Sequence, residues 1–314
     1  MKNKRIMVIG GTGALGKALV CKYHKYSDIL IFSRDEHKHV NLQKEYPDLS
    51  FQIGDVKDKS TIEKALKEFK PDIVINTAAL KHVPICESNT FESVKTNIIG
   101  NNNVIEAVRM ASHKVETLIF ISTDKACKPI NIYGMCKAIS ERLYIDFAGK
   151  QKDIKICLVR YGNVLESTGS VIPYFKSLLN SGKDYLPITD KRMTRFLISL
   201  DQAVDLIQWT YSHPKSHGNI AIPKIKSVKI IDIASVLVKS YGVEVVLKYV
   251  GIRPGEKIHE ELISFEEWVR TEEYENYLIT DSYVREDFSS YSSKNSLMNN
   301  SDINSFFKKT GVIE

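Results

Sequence analysis

The chain has 314 residues, of which 43% are hydrophobic and 26% charged. These proportions exclude disordered and collagen-like chains and allow a large core plus a smaller second one. Its 44 basic and 38 acidic residues leave a formal net charge of +6, but no Lys/Arg block is interleaved with aromatics, so no nucleic-acid partner is expected.

The opening Met1-Lys2-Asn3-Lys4-Arg5 runs into an apolar stretch too short for a signal peptide or a membrane helix. A cytoplasmic protein without membrane association is expected. The five scattered cysteines lack metal-ligand spacing, which fits reduced thiols and no metal site. Short apolar runs then alternate with helical stretches. Strands are predicted at Arg5–Ile9, Asp28–Phe32, Leu49–Ile53, Asp72–Asn76, Thr117–Ser122 and Lys155–Arg160, and helices at Ala14–Tyr26, Ser60–Phe69, Phe91–Ala111 and Tyr133–Gly149. This alternation implies an α/β fold with a doubly wound parallel sheet. After Arg160 the rhythm breaks at Gly162, Gly169, Pro173, Gly182, Pro187 and Pro214, which predicts a smaller C-terminal domain. The expected division is 1–161, with 196–222 returning to the sheet through a helix at Phe196–Tyr211, against 162–195 and 223–314. The Ser- and Asn-rich Ser289–Asp302 reads as a flexible stretch or a surface connection to a last helix.

The first strand leads into Gly10-Gly11-Thr12-Gly13-Ala14-Leu15-Gly16 and a helix start. Glycines there let the backbone approach a pyrophosphate, which the N–H groups of the helix N-terminus meet. In this strand–turn–helix context the motif marks a Rossmann dinucleotide site. The second strand ends in Phe32-Ser33-Arg34-Asp35, with Lys38 one turn on. Ser33, Arg34 and Lys38 in place of a carboxylate favour the 2′-phosphate of NADP over the free ribose of NAD; the competing reading is surface charge flanking Asp35 and Glu36. Asp55 and Val56 are placed to meet the adenine, and Ala78 and Ala79 leave room for the middle of the cofactor.

A second constellation follows the fifth strand: Thr123-Asp124-Lys125, then Tyr133-Gly134-Met135-Cys136-Lys137. Tyr133 and Lys137 stand at i, i+4 and share a helix face. The Lys137 ammonium is expected to lower the phenol's pKa, so that Tyr133 exchanges a proton with a substrate hydroxyl while Lys137 also holds the nicotinamide ribose.

At these residues the chain resembles the extended short-chain dehydrogenase/reductases, and more narrowly the inverting UDP-N-acetylglucosamine 4,6-dehydratases. The resemblance runs through Phe32-Ser33-Arg34-Asp35-Glu36, Ala78 to Pro84, Ser122 to Pro129, Tyr133-Gly134, Arg160 to Val164, Pro187 to Asp190, Arg192 to Phe196 and Pro254 to Glu261. It departs at Leu165-Glu166-Ser167-Thr168-Gly169, where the family more often has a glycine-rich, basic turn. The resemblance implies C4 oxidation through Tyr133, with Asp124 as acid at C6 and Lys125 as C5 base. Retaining relatives carry Asp-Glu at that place. To act as base, Lys125 is expected to have a pKa well below ~10.4. The resemblance further implies that Asn163 and Arg253 contact the nucleotide diphosphate, with Glu256 beside them. Lys81 and His82 are expected at the crevice mouth as substrate contacts, with Lys81 and Tyr133 also touching the cofactor, Thr194 and Arg195 as substrate contacts or a domain hinge, and UDP-N-acetylglucosamine as substrate of a homo-oligomer. A UDP-sugar 4-epimerase, a retaining dehydratase and a non-catalytic NADP-binding regulator stay open as alternatives.

Overall fold

The computed structural model describes residues 1–165, 167, 169–280 and 289–313; Glu166 and Thr168, within the departing turn noted above, lie outside the described residues. Six strands form in the order expected: β1 (Arg5–Ile9), β2 (Asp28–Ser33), β3 (Ser50–Ile53), β4 (Ile73–Asn76), β5 (Thr117–Ile121) and β6 (Lys155–Val159). Their spatial order is 3-2-1-4-5-6, all parallel. β1, β4 and β5 are apolar and buried along nearly their whole length, as strands covered by helices on both faces must be. Helix α1 (Ala14–Tyr23) follows β1, α2 (Glu36–Glu45) follows β2 and α3 (Lys59–Phe69) follows β3. α2 was not evident from sequence because its face is almost wholly polar, with His39 and Leu42 alone buried.

Beyond β4 come α4 (Val83–Ser88), α5 (Thr90–Val94) and α6 (Gly100–Arg109), the last two joined by a π-helical turn at Lys95–Ile99. α7 (Ile132–Lys150) precedes β6. The sheet order reverses at β1, so the carboxyl ends of β1 and β4 open the crevice where such folds bind ligands.

The second core gathers Leu165, Phe175, Leu186, Ile188, Leu197, Ile233, Leu237 and Phe307. β7 (Asn163–Val164) leads to it, α8 (Val171–Asn180), β8 (Tyr185–Ile188) and β9 (Thr194–Ile198) contribute to it, and the helices at Ile230–Tyr241 and Asn300–Lys309 complete it. The helix expected over Phe196–Tyr211 therefore begins later: Phe196–Ile198 is strand, and α9 (Leu200–Ser212) starts at a Ser199/Gln202 capping box. α9 packs against α1 and β6, and β10 (Ile220–Pro223) extends the parallel sheet beside β6. β11 (Ser227–Lys229), α10 (Ile230–Tyr241), β12 (Val246–Tyr249) and β13 (Glu261–Ile263) follow, then α11 (Phe265–Trp268), β14 (Thr271–Glu273) and β15 (Tyr277–Thr280). β15 pairs antiparallel with β10, and β14 with β15. The span 223–314 is thus not wholly separate from the large sheet, because the β14–β15 hairpin satisfies the otherwise open backbone edge of β10. Within Ser289–Asp302, β16 (Tyr291–Ser292) pairs with β13, Ser293 is buried, and α12 (Asn300–Lys309) begins at its Asn299 cap.

Candidate active site

The glycine loop is shaped by close approaches. Gly10 has φ of 77°, and a Cβ there would lie 2.8 Å from the Ala78 backbone nitrogen. A Cβ on Gly16 would stand 2.1 Å from the Gly11 carbonyl oxygen, so Gly16 lets α1 dock on its own loop. Leu15 sends its side chain into the core. Gly13 and Ala14 are exposed, and the start of α1 carries no side-chain cap, which leaves its N–H groups free for an anion.

At the end of β2 the three expected phosphate contacts differ. Thr12 Oγ1 lies 3.0 Å from Ser33 Oγ, which is 2.7 Å from His39 Nε2, so the Ser33 hydroxyl is engaged inside the fold. Lys38 pairs with Asp35 at 2.8 Å. Arg34 is half-exposed and touches Asp55 at 3.5 Å, the loosest of the three. Asp55 also faces Lys57 at 3.6 Å, which directs its carboxylate to cations, while Val56 is packed beneath Gly100. Ala78 and Ala79 are partly buried along the crevice. Asn97, in the π-helical turn, accepts from Leu80 N at 2.9 Å and donates to Leu80 O at 2.8 Å, which pins the loop carrying them.

The Thr123-Asp124-Lys125 turn follows β5. Thr123 caps a single 3-10 turn at Asp124–Ala126. This turn presses on α7 at Gly134, where a Cβ would fall 2.2 Å from the Lys125 carbonyl oxygen. The glycine after Tyr133 therefore brings turn and helix together. Asn131 caps α7 by accepting from Gly134 N at 2.7 Å. Tyr133 is buried beside Thr123; burial raises its pKa, the Thr123 hydrogen bond opposes that rise and the Asp124 carboxylate adds to it. The phenol is thus shifted upward, contrary to the lowering expected from Lys137. The Lys137 amine donates to Ile121 O at 2.6 Å and lies 4.5 Å from the Phe120 ring centroid. Burial lowers its pKa to about 7, so it is a weak source of positive charge for the phenol.

Asp124 is fully buried. Its Oδ1 accepts from Thr123 at 3.0 Å and from Lys125 Nζ at 3.0 Å, while Oδ2 has no hydrogen-bond partner. Lys125 Nζ also donates to Asn163 Oδ1 at 3.3 Å and stands 3.7 Å from Glu260 Oε1. Burial disfavours the ammonium, but the Asp124 and Glu260 carboxylates outweigh it, and the Lys125 pKa is raised. The lowered value expected for a resting base is not found, because two anions face one cation. Asn163 joins this cluster directly.

The other residues expected to contact substrate divide. Thr194 is buried and bonded to His259 Nδ1 at 2.8 Å and Ser293 Oγ at 2.7 Å, a tie between segments rather than an open contact. Arg195 is buried and donates to the Thr194, Ile258 and Lys257 carbonyls. Arg253 is exposed and paired with Glu256, whose Oε2 is buried without a partner. Lys81 is exposed, and the His82 ring packs on Gly169, where a Cβ would fall 2.2 Å from it.

Two groups escaped the sequence reading. One is Glu260, which appears there merely as part of a resembling run. The other is a buried clamp: Arg160 donates to Glu141 at 3.0 and 2.7 Å and to Glu267 at 2.8 and 2.9 Å, and to the Leu262 carbonyl at 2.8 Å. Ser122 donates to Glu141 at 2.6 Å. The clamp ties β5, β6, α7 and α11 behind the site. The helical spacing of Glu141 to Lys137 could have hinted at it; Glu267 gave no signal. Among the described residues no group of three or more His, Cys, Asp or Glu is arranged to hold a metal, and no helix is long and apolar enough to cross a membrane.

A family model described as polysaccharide biosynthesis protein matches residues 6–282. A Campylobacter jejuni protein named UDP-N-acetylglucosamine 4,6-dehydratase (inverting) is 43% identical, over 87% of this chain and 81% of that protein. A Rickettsia akari protein named UDP-glucose 4-epimerase is 38% identical over 88% of this chain and 82% of its own length. The X-ray structure of Pen from Bacillus thuringiensis superposes with a TM-score of 0.91 at 31% identity, over 100% of this chain and 99% of that one. With the Rossmann sheet, the glycine loop and the Thr-Asp-Lys and Tyr-x-x-x-Lys groups in one crevice, the chain belongs to the polysaccharide biosynthesis protein family of extended short-chain dehydrogenase/reductases.

Proposed function

We propose that the chain is a C5-inverting UDP-N-acetylglucosamine 4,6-dehydratase that uses NADP. The observation carrying this reading is the buried Asp124–Lys125 pair, 3.0 Å apart, on the turn that abuts Tyr133. The name of the Campylobacter jejuni relative agrees with it.

The residues fit such a cofactor: Gly10 to Gly16 leave an open, uncapped helix start for the pyrophosphate, and Arg34 and Lys38 supply cations for a 2′-phosphate. When bound, the cofactor supplies the hydride acceptor and donor for the sugar. Burial holds the Tyr133 phenol protonated at rest, so it acts after releasing that proton to solvent: as phenolate, which the Thr123 hydrogen bond favours, it takes the proton of the C4 hydroxyl. Lys137 stands one helical turn away for the ribose. The ketone at C4 acidifies the C5 proton. One proton passing from the Lys125 ammonium to the Asp124 carboxylate makes an amine base and a carboxylic acid together, without change in total charge. Lys125 removes the C5 proton, and Asp124 protonates the departing C6 hydroxyl, which leaves as water. A solvent-derived proton then adds to C5 on the opposite face, replacing the one Tyr133 released, so that every group ends as it began. Asn163 and Arg253 hold the nucleotide diphosphate, with Lys81 and His82 at the mouth.

The epimerase name of the Rickettsia akari relative supplies a second reading, but an epimerase eliminates no water and has no task for the Asp124–Lys125 pair. We place the enzyme in the cytoplasm as a homo-oligomer; its cysteines are free, and Phe91, Ile99, Met135 and Ile139 expose apolar surface on α5 to α7 and the turn within. Incubation with UDP-N-acetylglucosamine in deuterated water tests the function by mass spectrometry and proton couplings. The expected product has lost one water, carries deuterium at C5 and has the L-arabino configuration. An unchanged mass means an epimerase or no enzyme, and a D-xylo product means a retaining one.

A further inference from the structure

We infer that Glu260 is a positioning residue of this site, a buried carboxylate shared between Lys125 and Lys257 that governs how readily Lys125 gives up its proton. This rests on the dehydratase reading. Glu260 is 2% exposed and lies 3.7 Å from Lys125 Nζ and 3.6 Å from Lys257 Nζ. Its Oε2 is buried with no hydrogen-bond partner. The backbone that carries it is pinned: Glu260 N donates to Ser293 Oγ at 2.8 Å, and Ser293 N donates to Glu260 O at 2.8 Å. Lys257 is equally fixed, donating to the Cys127 carbonyl at 2.7 Å, two residues past Lys125. The result is a row of alternating charge, Asp124, Lys125, Glu260, Lys257, with both carboxylates buried and both lysines partly so.

The groups facing Lys125 come from every side. Asp124 lies on its own turn, Asn163 on β7, Arg195 on β9 and Glu260 just before β13, with Tyr133 of α7 beside Thr123 and Asp124. Arg195 opposes the ammonium, and Asp124 and Glu260 favour it. Asp124 must itself accept the proton for the chemistry to proceed. Glu260 is therefore the one of these two anions that stands outside the proton transfer, and Lys257 shares its carboxylate with Lys125. At such depth these interactions are weakly screened.

The consequence is a pair of opposite shifts. Glu260→Gln removes an anion beside Lys125 and should move its titration about one pH unit down, giving about tenfold more amine at a given pH. Lys257→Met leaves the Glu260 charge undivided and should move it up. In cofactor-loaded protein carrying 13C at the lysine ε-carbon, the Lys125 signal is assigned by its loss in Lys125→Met and followed against pH. The ascending limb of C5 deuterium incorporation is measured on the same variants. Opposite displacement of the two variants supports the proposal. Coincidence with wild type, or displacement in one direction for both, overturns it, and either variant alone suffices if the other does not fold. If wild-type protein eliminates no water, the dehydratase reading fails while the lysine titration still decides the role of Glu260.

Discussion

The glycine loop at the end of β1 and the charged cluster at the end of β5 line one crevice but are held by opposite means. The loop depends on absent atoms: a single methyl at Gly10 or Gly16 would collide with backbone. The cluster depends on buried charges that balance one another, Lys125 between Asp124 and Glu260, and Arg160 between Glu141 and Glu267. Steric fit is set within the loop at Gly16 and against the loop after β4 at Gly10, and at both positions an added methyl must displace backbone. Charge balance is assembled from distant segments, and its failure appears in pH dependence and stability as well as in rate.

The largest expected effect separates the two ends. Tyr133→Phe should lower turnover about a thousandfold, and Gly134→Ala should do likewise by forcing the Lys125 turn off α7. Both should leave NADP affinity, read by calorimetry, near wild type. An equal fall in affinity would mean that the ends are not independent. Arg160→Met leaves Glu141 and Glu267 buried without their cation, and denaturant unfolding should register about 3–5 kcal/mol of lost stability. A loss below about 1 kcal/mol would remove the clamp from the argument.

The same clamp has an acid signature. Burial alone would raise the Glu267 carboxyl, but the Arg160 guanidinium overrides it and draws the pKa from 4.5 to about 2. A depressed carboxylate contributes stability that is complete above the unfolded value and is lost as pH falls through the folded one. Stability should therefore decline between about pH 4.5 and 2, and Glu267→Gln should flatten that slope in urea melts. The smallest effect lies at the cofactor end. Arg34→Ala should weaken NADP about tenfold, about 1.4 kcal/mol, and leave NAD unchanged; equal losses would move the phosphate contact elsewhere, since the Ser33 hydroxyl is already bound to Thr12 and His39.

Much of the large sheet was legible from the residues alone. β1, β4 and β5 are short apolar runs bounded by turns, and their alternation with helices implied parallel pairing. The glycine loop and Tyr133–Lys137 were legible because each lies within one strand–turn–helix unit or one helical turn, where spacing fixes geometry. What tertiary structure decided is the electrostatics and the edges. The Lys125 pKa is raised, not lowered, because Glu260, 135 positions later, arrives beside it; no periodicity links the two. Phe196–Ile198 is strand because β7 and β11 flank it, and the β14–β15 hairpin joins the large sheet because β10 offers an open edge. Local propensity specifies which segments can be helix or strand, but which charges meet in a buried site depends on loops that bring distant segments together, and the cost of burying a charge is fixed by those neighbours alone.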